Sequence, residues 1–364
     1  MAAPFSVSFR THGLTLQPSP LFAAVIAKSG TGMSENVPVG KMTVVDEAEA
    51  LGSDGHMRIA FDYMKQFSDF HFVAMPYDGE DAAAVAASLA STSNLLADGT
   101  ELAKLDGYAP SVVVIPELSA GDPATNADIA KVAGHAAKET RRIGAVFVDA
   151  AGDTSANALA WATANQKEGI VGVVNKATIP GAGDGNGWGS IIAAGHFLRH
   201  VGADDLRTIP FTTRYPVGGV SDPSPVVVFD PESATAAAEA YDDVHLTSLI
   251  RYDGGIYCWG GKSGDAAAAD AFTFPTHRVA AFQLVKGVRH LMLPYVNGEV
   301  TSEDLDILSR GLALISDDYV ERRYVTGYAY ENLRVSNRHL SVRLELNFPD
   351  VLESVGLDIS TAAA

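Results

Sequence analysis

The chain has 364 residues of which 47% are apolar, enough for about two to three domains with filled cores, so disorder is ruled out for the bulk of it. Only 19% of residues are charged, and 26 Lys plus Arg against 44 Asp plus Glu leave a formal charge of −18, which argues against general attraction to nucleic acid or anionic membrane. The apolar runs at 21–27 and 82–87 fall far short of the ~20 residues that a membrane span needs, and MAAPFSVSFRTHG lacks the basic start and apolar stretch of a leader. A soluble protein made in a cytoplasm is therefore expected.

Near the start, Phe5, Val7 and Phe9 alternate with Ser6, Ser8 and Arg10, the pattern of a strand with one apolar face. Between about residues 55 and 201 helix and strand patterns alternate. Helices are predicted at 56–67, 80–96, 126–142 and 155–166, and strands at 70–75, 111–115, 145–149 and 170–174. Continuous apolar strands between helices predict an α/β layer with a largely parallel sheet. After Gly202 the sequence is turn-rich, with Pro210, Pro216, Pro223, Pro225 and Pro231 closely spaced, and a second unit is expected. There, 245–252 and 256–259 flank Asp253-Gly254-Gly255, a hairpin signal, because Asp-Gly supplies the positive φ of a tight primed turn. Helices at 276–292 and 301–316 and a strand at 322–330 make this unit α+β. At the end, Leu340, Val342, Leu344, Leu346 and Phe348 alternate with Ser341, Arg343, Glu345 and Asn347. Strands at both termini need partners, since chain ends fray unless tied into a sheet.

Signatures of catalysis are missing. There is no His-Glu-x-x-His, Gly-x-Ser-x-Gly or Cys-x-x-Cys, and the single Cys258 reads as a small buried apolar residue rather than a metal ligand. The stretch from Gly181 to Gly189 precedes a helix as a phosphate cradle would, yet no frame of it fits Gly-x-Gly-x-x-Gly. Gly260-Gly261-Lys262-Ser263 resembles the end of a phosphate loop, but Ile256 stands where its first glycine belongs. Asp149, Asp153 and Asp184 sit near strand ends with no histidine partner dictated by spacing, and His196 and His200, one helical turn apart, have no third ligand.

One segment is more distinctive. The stretch His245-Leu-Thr-Ser-Leu-Ile-Arg-Tyr-Asp-Gly-Gly-Ile-Tyr-Cys-Trp-Gly-Gly-Lys-Ser263 resembles the signature of contractile tail sheath proteins, in which an Arg-x-x-Gly turn leads to Trp-Gly and a basic residue before Thr or Ser. Arg251, Asp253, Gly254, Gly255, Trp259 and Gly260 carry the match, while Gly261-Lys262 departs from the Asn or Ala with Arg usual there. The run from Pro275 to Phe282 is similar to the helix that follows in the family. Thr11-His-Gly-Leu14, Ala24-Val-Ile-Ala27, 36–44 and 48–52 resemble the opening of the phage type, and the alternating 340–346 strand with Pro349 resembles its end.

The resemblance implies an α/β and α+β multidomain subunit: an N-terminal arm (1–18), a small α/β domain (19–105), a subtilisin-like α/β middle domain (106–243), a sheath core domain (244–339) and a C-terminal arm (340–364). It implies assembly without catalysis, cofactor or metal: copies stack in helical rings around an inner tail tube, associate with baseplate and terminator proteins, and contract to drive the tube through a target envelope. The expected place is a virion tail sheath made in the host cytoplasm, with no nucleic acid partner and no membrane insertion. The arms, through Phe5, Val7, Phe9, Leu14, Leu340, Val342, Leu344 and Leu346, are expected to add strands to neighbouring copies. Arg278, Lys286 and Arg289 fall within about 80° on one helix and are expected to face the tube. They lie in the segment 276–347, which holds nine basic and nine acidic residues, so the whole −18 resides elsewhere. A rival reading is a cytoplasmic α/β enzyme holding an anionic ligand at the loop from Gly181 to Gly189.

Overall fold

The computed structural model describes residues 21–77, 112–116, 144–150, 155–182, 188–202, 215–230, 236–264, 266, 273–295, 300–336 and 339–347. The predicted strand at 5–9 and the predicted helices at 80–96 and 126–142 lie outside the described residues. The apolar run 21–27 becomes β1 (Phe22–Lys28), the middle of a six-stranded sheet. Around it stand β2 (Thr43–Val45), β3 (His71–Tyr77), β4 (Val112–Ile115), β5 (Ala145–Asp149) and β6 (Ile170–Val173), in the order β2-β3-β1-β4-β5-β6. All neighbours are parallel except the edge pair β2–β3. Counted in chain order, the five parallel strands run 2-1-3-4-5, a doubly wound arrangement that buries both faces.

The two faces follow from strand alternation. Ala23, Val25 and Ala27 point into one core with Val112, Val114 and Phe147, while Phe22, Ala24 and Ile26 point into the other with Val113 and Val148. The first core is covered by α1 (His56–Met64) and α3 (Gly189–Gly202), the second by α2 (Ser155–Asn165) and the short α4 (Ala237–Asp242). Each fully buried Val, Ile or Phe in these layers contributes about 1.5–3 kcal/mol.

Two expectations are corrected here. The proposed boundary between 105 and 106 cuts through one sheet, because β1 pairs with β3 on one side of it and with β4 on the other. The turn-rich part is also tied to that sheet: Thr247 donates to Gly172 O at 2.8 Å and accepts from the Val174 N–H at 2.9 Å, a parallel bridge at the β6 edge. A short pair, β7 (Lys176–Thr178) and β8 (Ser221–Ser224), was not foreseen, since three residues and a proline carry no strand signal.

The remainder comprises the hairpin β9 (Ser248–Tyr252) and β10 (Gly255–Trp259), the helices α5 (Pro275–Met292) and α6 (Ser302–Glu321), which touch each other, and the two-stranded sheet β11 (Gly327–Ser336) and β12 (His339–Asn347). Helix α6 runs past its expected end at 316, and the strand expected from 322 begins at Gly327. Arg322 extends the helix by bonding Asp318 at 2.9 Å, and Arg323 then turns the chain at φ 62°. No helix among the described residues is long and apolar enough to cross a membrane.

Candidate assembly surfaces

The signature stretch folds as the hairpin it predicts. Tyr252 faces Gly255 across a two-residue turn in which Asp253 and Gly254 take φ 45° and 75°, the primed geometry that matches strand twist. Leu249, Ile256 and Cys258 face one core, and Ile250 faces the other. Burial pushes the Cys258 thiol pKa well up, so it stays a neutral packing group. The tip is open: Arg251 pairs with Asp222 at 3.1 Å between exposed side chains, and Tyr252 meets Phe229 edge-on at 5.3 Å. Trp259 packs on Phe229 at 4.5 Å.

Gly260 is required by its backbone. It sits at φ 98°, and a Cβ there would lie 2.5 Å from Leu246 O. Lys262, which a phosphate loop would leave free, bonds Asp242 at 3.1 Å and is largely buried, while the Gly261 N–H goes to Thr247 Oγ1 at 3.1 Å. Asp149 and Ser190 form a helix cap: the Ser190 N–H and hydroxyl both donate to the carboxylate at 2.9 Å, at the start of α3. Ser190 is fully buried, so its hydroxyl is no accessible nucleophile. Asp153 and Asp184 lie outside the described residues, as do 183–187 of the glycine-rich loop. Among the described residues no group of three or more His, Cys, Asp or Glu side chains could hold a metal ion.

The basic stripe is corrected at its first member. Arg278 is fully buried, its guanidinium donating to Glu168 and lying 5.0 Å from the Phe282 ring centre, because the first turn of α5 is embedded against the loop before β6. Lys286 and Arg289 lie further along the same helix, with side chains outside the described residues.

The C-terminal strand pairs within its own chain. Leu346 faces Tyr328, Leu344 faces Tyr330 and Leu340 faces Val335, with a register shift between Glu331 and Arg334. Val342, Leu344 and Leu346 pack toward the core with Tyr330, whereas Arg343 and Glu345 pair with each other at 2.9 Å in the open. The sheet is seated on α6: the Tyr328 hydroxyl donates to Asp317 at 2.8 Å, and the Tyr330 and Ser309 hydroxyls are 2.9 Å apart. Burial, then the bond to Asp317, pushes the Tyr328 pKa up to about 12. The 340–346 stretch is therefore half of an internal pair, a correction to its reading as a wholly donated arm. Among the described residues neither outer edge of this pair meets another strand. Phe5, Val7, Phe9 and Leu14 lie outside the described residues.

No protein-family model matches the chain, and no curated protein matches it significantly. Solved structures do. The helical sheath of the anti-feeding prophage in its contracted state matches at a TM-score of 0.64 and 13% identity, over 94% of this chain and 94% of that chain. The sheath complex of an extracellular contractile injection system, PVC, in its contracted state matches at 0.68 and 10%, over 100% of this chain and 98% of that one. A sheath tail protein from Desulfitobacterium hafniense matches at 0.55 and 10%, over 91% and 93%.

The chain has the fold of contractile sheath proteins. Within that sheath fold, the residues that join the hairpin to the six-stranded sheet carried no motif in the sequence. Asn175 is the main one: its side-chain amide donates to Leu249 O at 2.9 Å and to Pro225 O at 3.0 Å, and its Oδ1 accepts from the Leu249 N–H at 2.7 Å. It imitates one peptide unit of a missing strand. Glu168 and Asp222, partners of Arg278 and Arg251, were likewise unmarked.

Proposed function

We propose that this chain is a structural subunit of a contractile sheath, polymerising with copies of itself around an inner tube and shortening to drive that tube through a target envelope, without catalysis. The observation that carries the reading is the fold likeness, which spans more than 90% of this chain and of each sheath chain compared. The buried, mutually bonded Asp149 and Ser190 and the paired Lys262 favour it over an enzyme.

In this reading the doubly wound sheet corresponds to the subtilisin-like part of such subunits, with 19–105 and 106–243 acting together, and 244–339 is the sheath core. Baseplate, terminator and tube proteins are its other partners, and a virion tail or injection device is its setting. Arms 1–18 and 348–364 lie along the open edges of β11 and β12 in neighbouring copies, with Phe5, Val7, Phe9 and Leu14 facing inward. A nine-residue edge such as β12 exposes the backbone groups of about four alternate residues. Each of these residues offers both an N–H and a C=O, about eight hydrogen bonds in all, so at about 0.5–1.5 kcal/mol net each one joint contributes roughly 4–12 kcal/mol. Lys286 and Arg289 remain as basic groups toward an acidic tube.

Negative-stain imaging of concentrated protein tests the reading. Hollow tubes or rings are expected, and small globular particles at every concentration would refute it. Removing 1–18, or 348–364, is expected to leave folded subunits that do not polymerise.

A further inference from the structure

We propose that Glu168 and Arg278 form a clasp that fixes the orientation of α5 against the sheet and thereby the geometry in which subunits join. The second half of this inference rests on the assembly reading above.

Arg278 is an improbable residue for its place. It stands in the first turn of α5, where the helix dipole is positive and the turn itself holds no acidic residue, and it is the largest fully buried side chain described. Local preference and burial both disfavour it, a conflict that marks functional or strained positions. Its surroundings are shaped to hold it. Glu168 accepts from its Nη1, the Phe282 ring lies beneath the guanidinium, and Gly169 at φ 79° leaves the space in which a Cβ would come within 3.2 Å of Cζ.

The loop that carries the half-exposed Glu168 side chain is itself fixed. Gln166 Nε2 donates to His245 O at 2.6 Å, and Gly169 O accepts from the Val146 N–H at 2.8 Å, so this loop is bound to both the hairpin approach and β5. The helix side transmits. Residues 275–281 are all buried, whereas His290 and, just beyond the helix, Leu293 at 62% are exposed. The helix is gripped at its start. Further along, Leu291 lies against Gly311 of α6, and α6 seats β11 through the Tyr330–Ser309 contact. Eighteen residues span about 27 Å, so a tilt of about 10° at the clasp moves the far end by about 5 Å. The open edges of β11 and β12 move with it.

The test uses the full chain, as wild type, Glu168→Gln, and the exchanged pair E168R/R278E, which puts a carboxylate at the helix start where the dipole favours it. Hydrogen exchange of 275–281 is expected to rise about tenfold in Glu168→Gln while 22–28 stays protected, and cryo-electron microscopy of its tubes should show altered twist and rise. The exchanged pair should restore both. Wild-type exchange at 275–281 in Glu168→Gln overturns the clasp, as do wild-type twist and rise beside a lowered melting point, which would mark a merely structural pair. If Glu168→Gln does not fold, folding of the exchanged pair supports the clasp and its failure overturns it. If the wild type builds no tubes, the assembly reading fails, and the exchange data still decide the clasp.

Discussion

Replacing Asn175 with Ala removes three hydrogen bonds in one step. Pro225 is exposed and its carbonyl can turn to water, but Leu249 is fully buried, so its N–H and C=O are both left without partners. A buried backbone group left unsatisfied costs about 1–3 kcal/mol, which puts the loss for these two groups at about 2–6 kcal/mol. Asn175→Asp separates geometry from chemistry. It keeps an acceptor toward the Leu249 N–H but sets a second oxygen against Leu249 O, so the buried carboxylate is destabilised and its folded pKa rises. Its stability deficit at pH 7 should therefore match or exceed that of the alanine variant, and should shrink as the pH falls and the protonated acid donates to Leu249 O. Urea unfolding at pH 7 and pH 5, with hydrogen exchange at the Leu249 amide, measures both effects. A loss below about 1 kcal/mol for the alanine variant, or an aspartate variant as stable as wild type at pH 7, would refute the view that this amide replaces a strand.

Further outcomes follow from single positions. Gly254→Ala meets nothing within 4 Å at φ 75° and should cost about 1 kcal/mol, whereas Gly260→Ala brings a Cβ to 2.5 Å from Leu246 O at φ 98° and should cost more than about 2 kcal/mol, a contrast that thermal melting can read. Thr301 and Asp304 cap α6 reciprocally, with the Asp304 N–H donating to the Thr301 hydroxyl and the Thr301 N–H to the carboxylate. Those bonds, the backbone one foremost, hold the Asp304 pKa below its usual 3.8, so the cap is fully present above that pH and lost as pH falls through the lowered value. Helicity at the start of α6 should fade in strong acid, and Thr301→Ala, at about 1 kcal/mol, should weaken that acid dependence without abolishing it, because the backbone N–H at 301 still reaches the carboxylate.

The elements with long periodic patterns were legible: 145–149 is a strand with the expected bounds, and 276–292 is a helix that begins one residue early. The signature hairpin was legible because Asp253-Gly254 has few conformational alternatives. Arg278 was misread for a physical reason. A helical wheel shows angle but not depth, and the first turns of α5 are buried all round, so a basic position there is no guide to a surface. The domain edge at 105 was misplaced because a parallel sheet interleaves distant segments, and β1 meets β4 across more than eighty residues that carry no pairing signal. Asn175 was invisible for a similar cause, since its partners Pro225 and Leu249 are 50 and 74 residues away.

The alternation along β12 constrains any strand laid on its outer edge. Val342, Leu344 and Leu346 turn toward the core and Arg343 and Glu345 away, so a companion with matching alternation cannot slide by one residue without turning its oily side to water. It can shift only by even counts, in strides of about 7 Å. Neighbours stitched through such an edge have discrete seats rather than a continuum of positions, and a lattice built this way can hold a fixed pitch under strain.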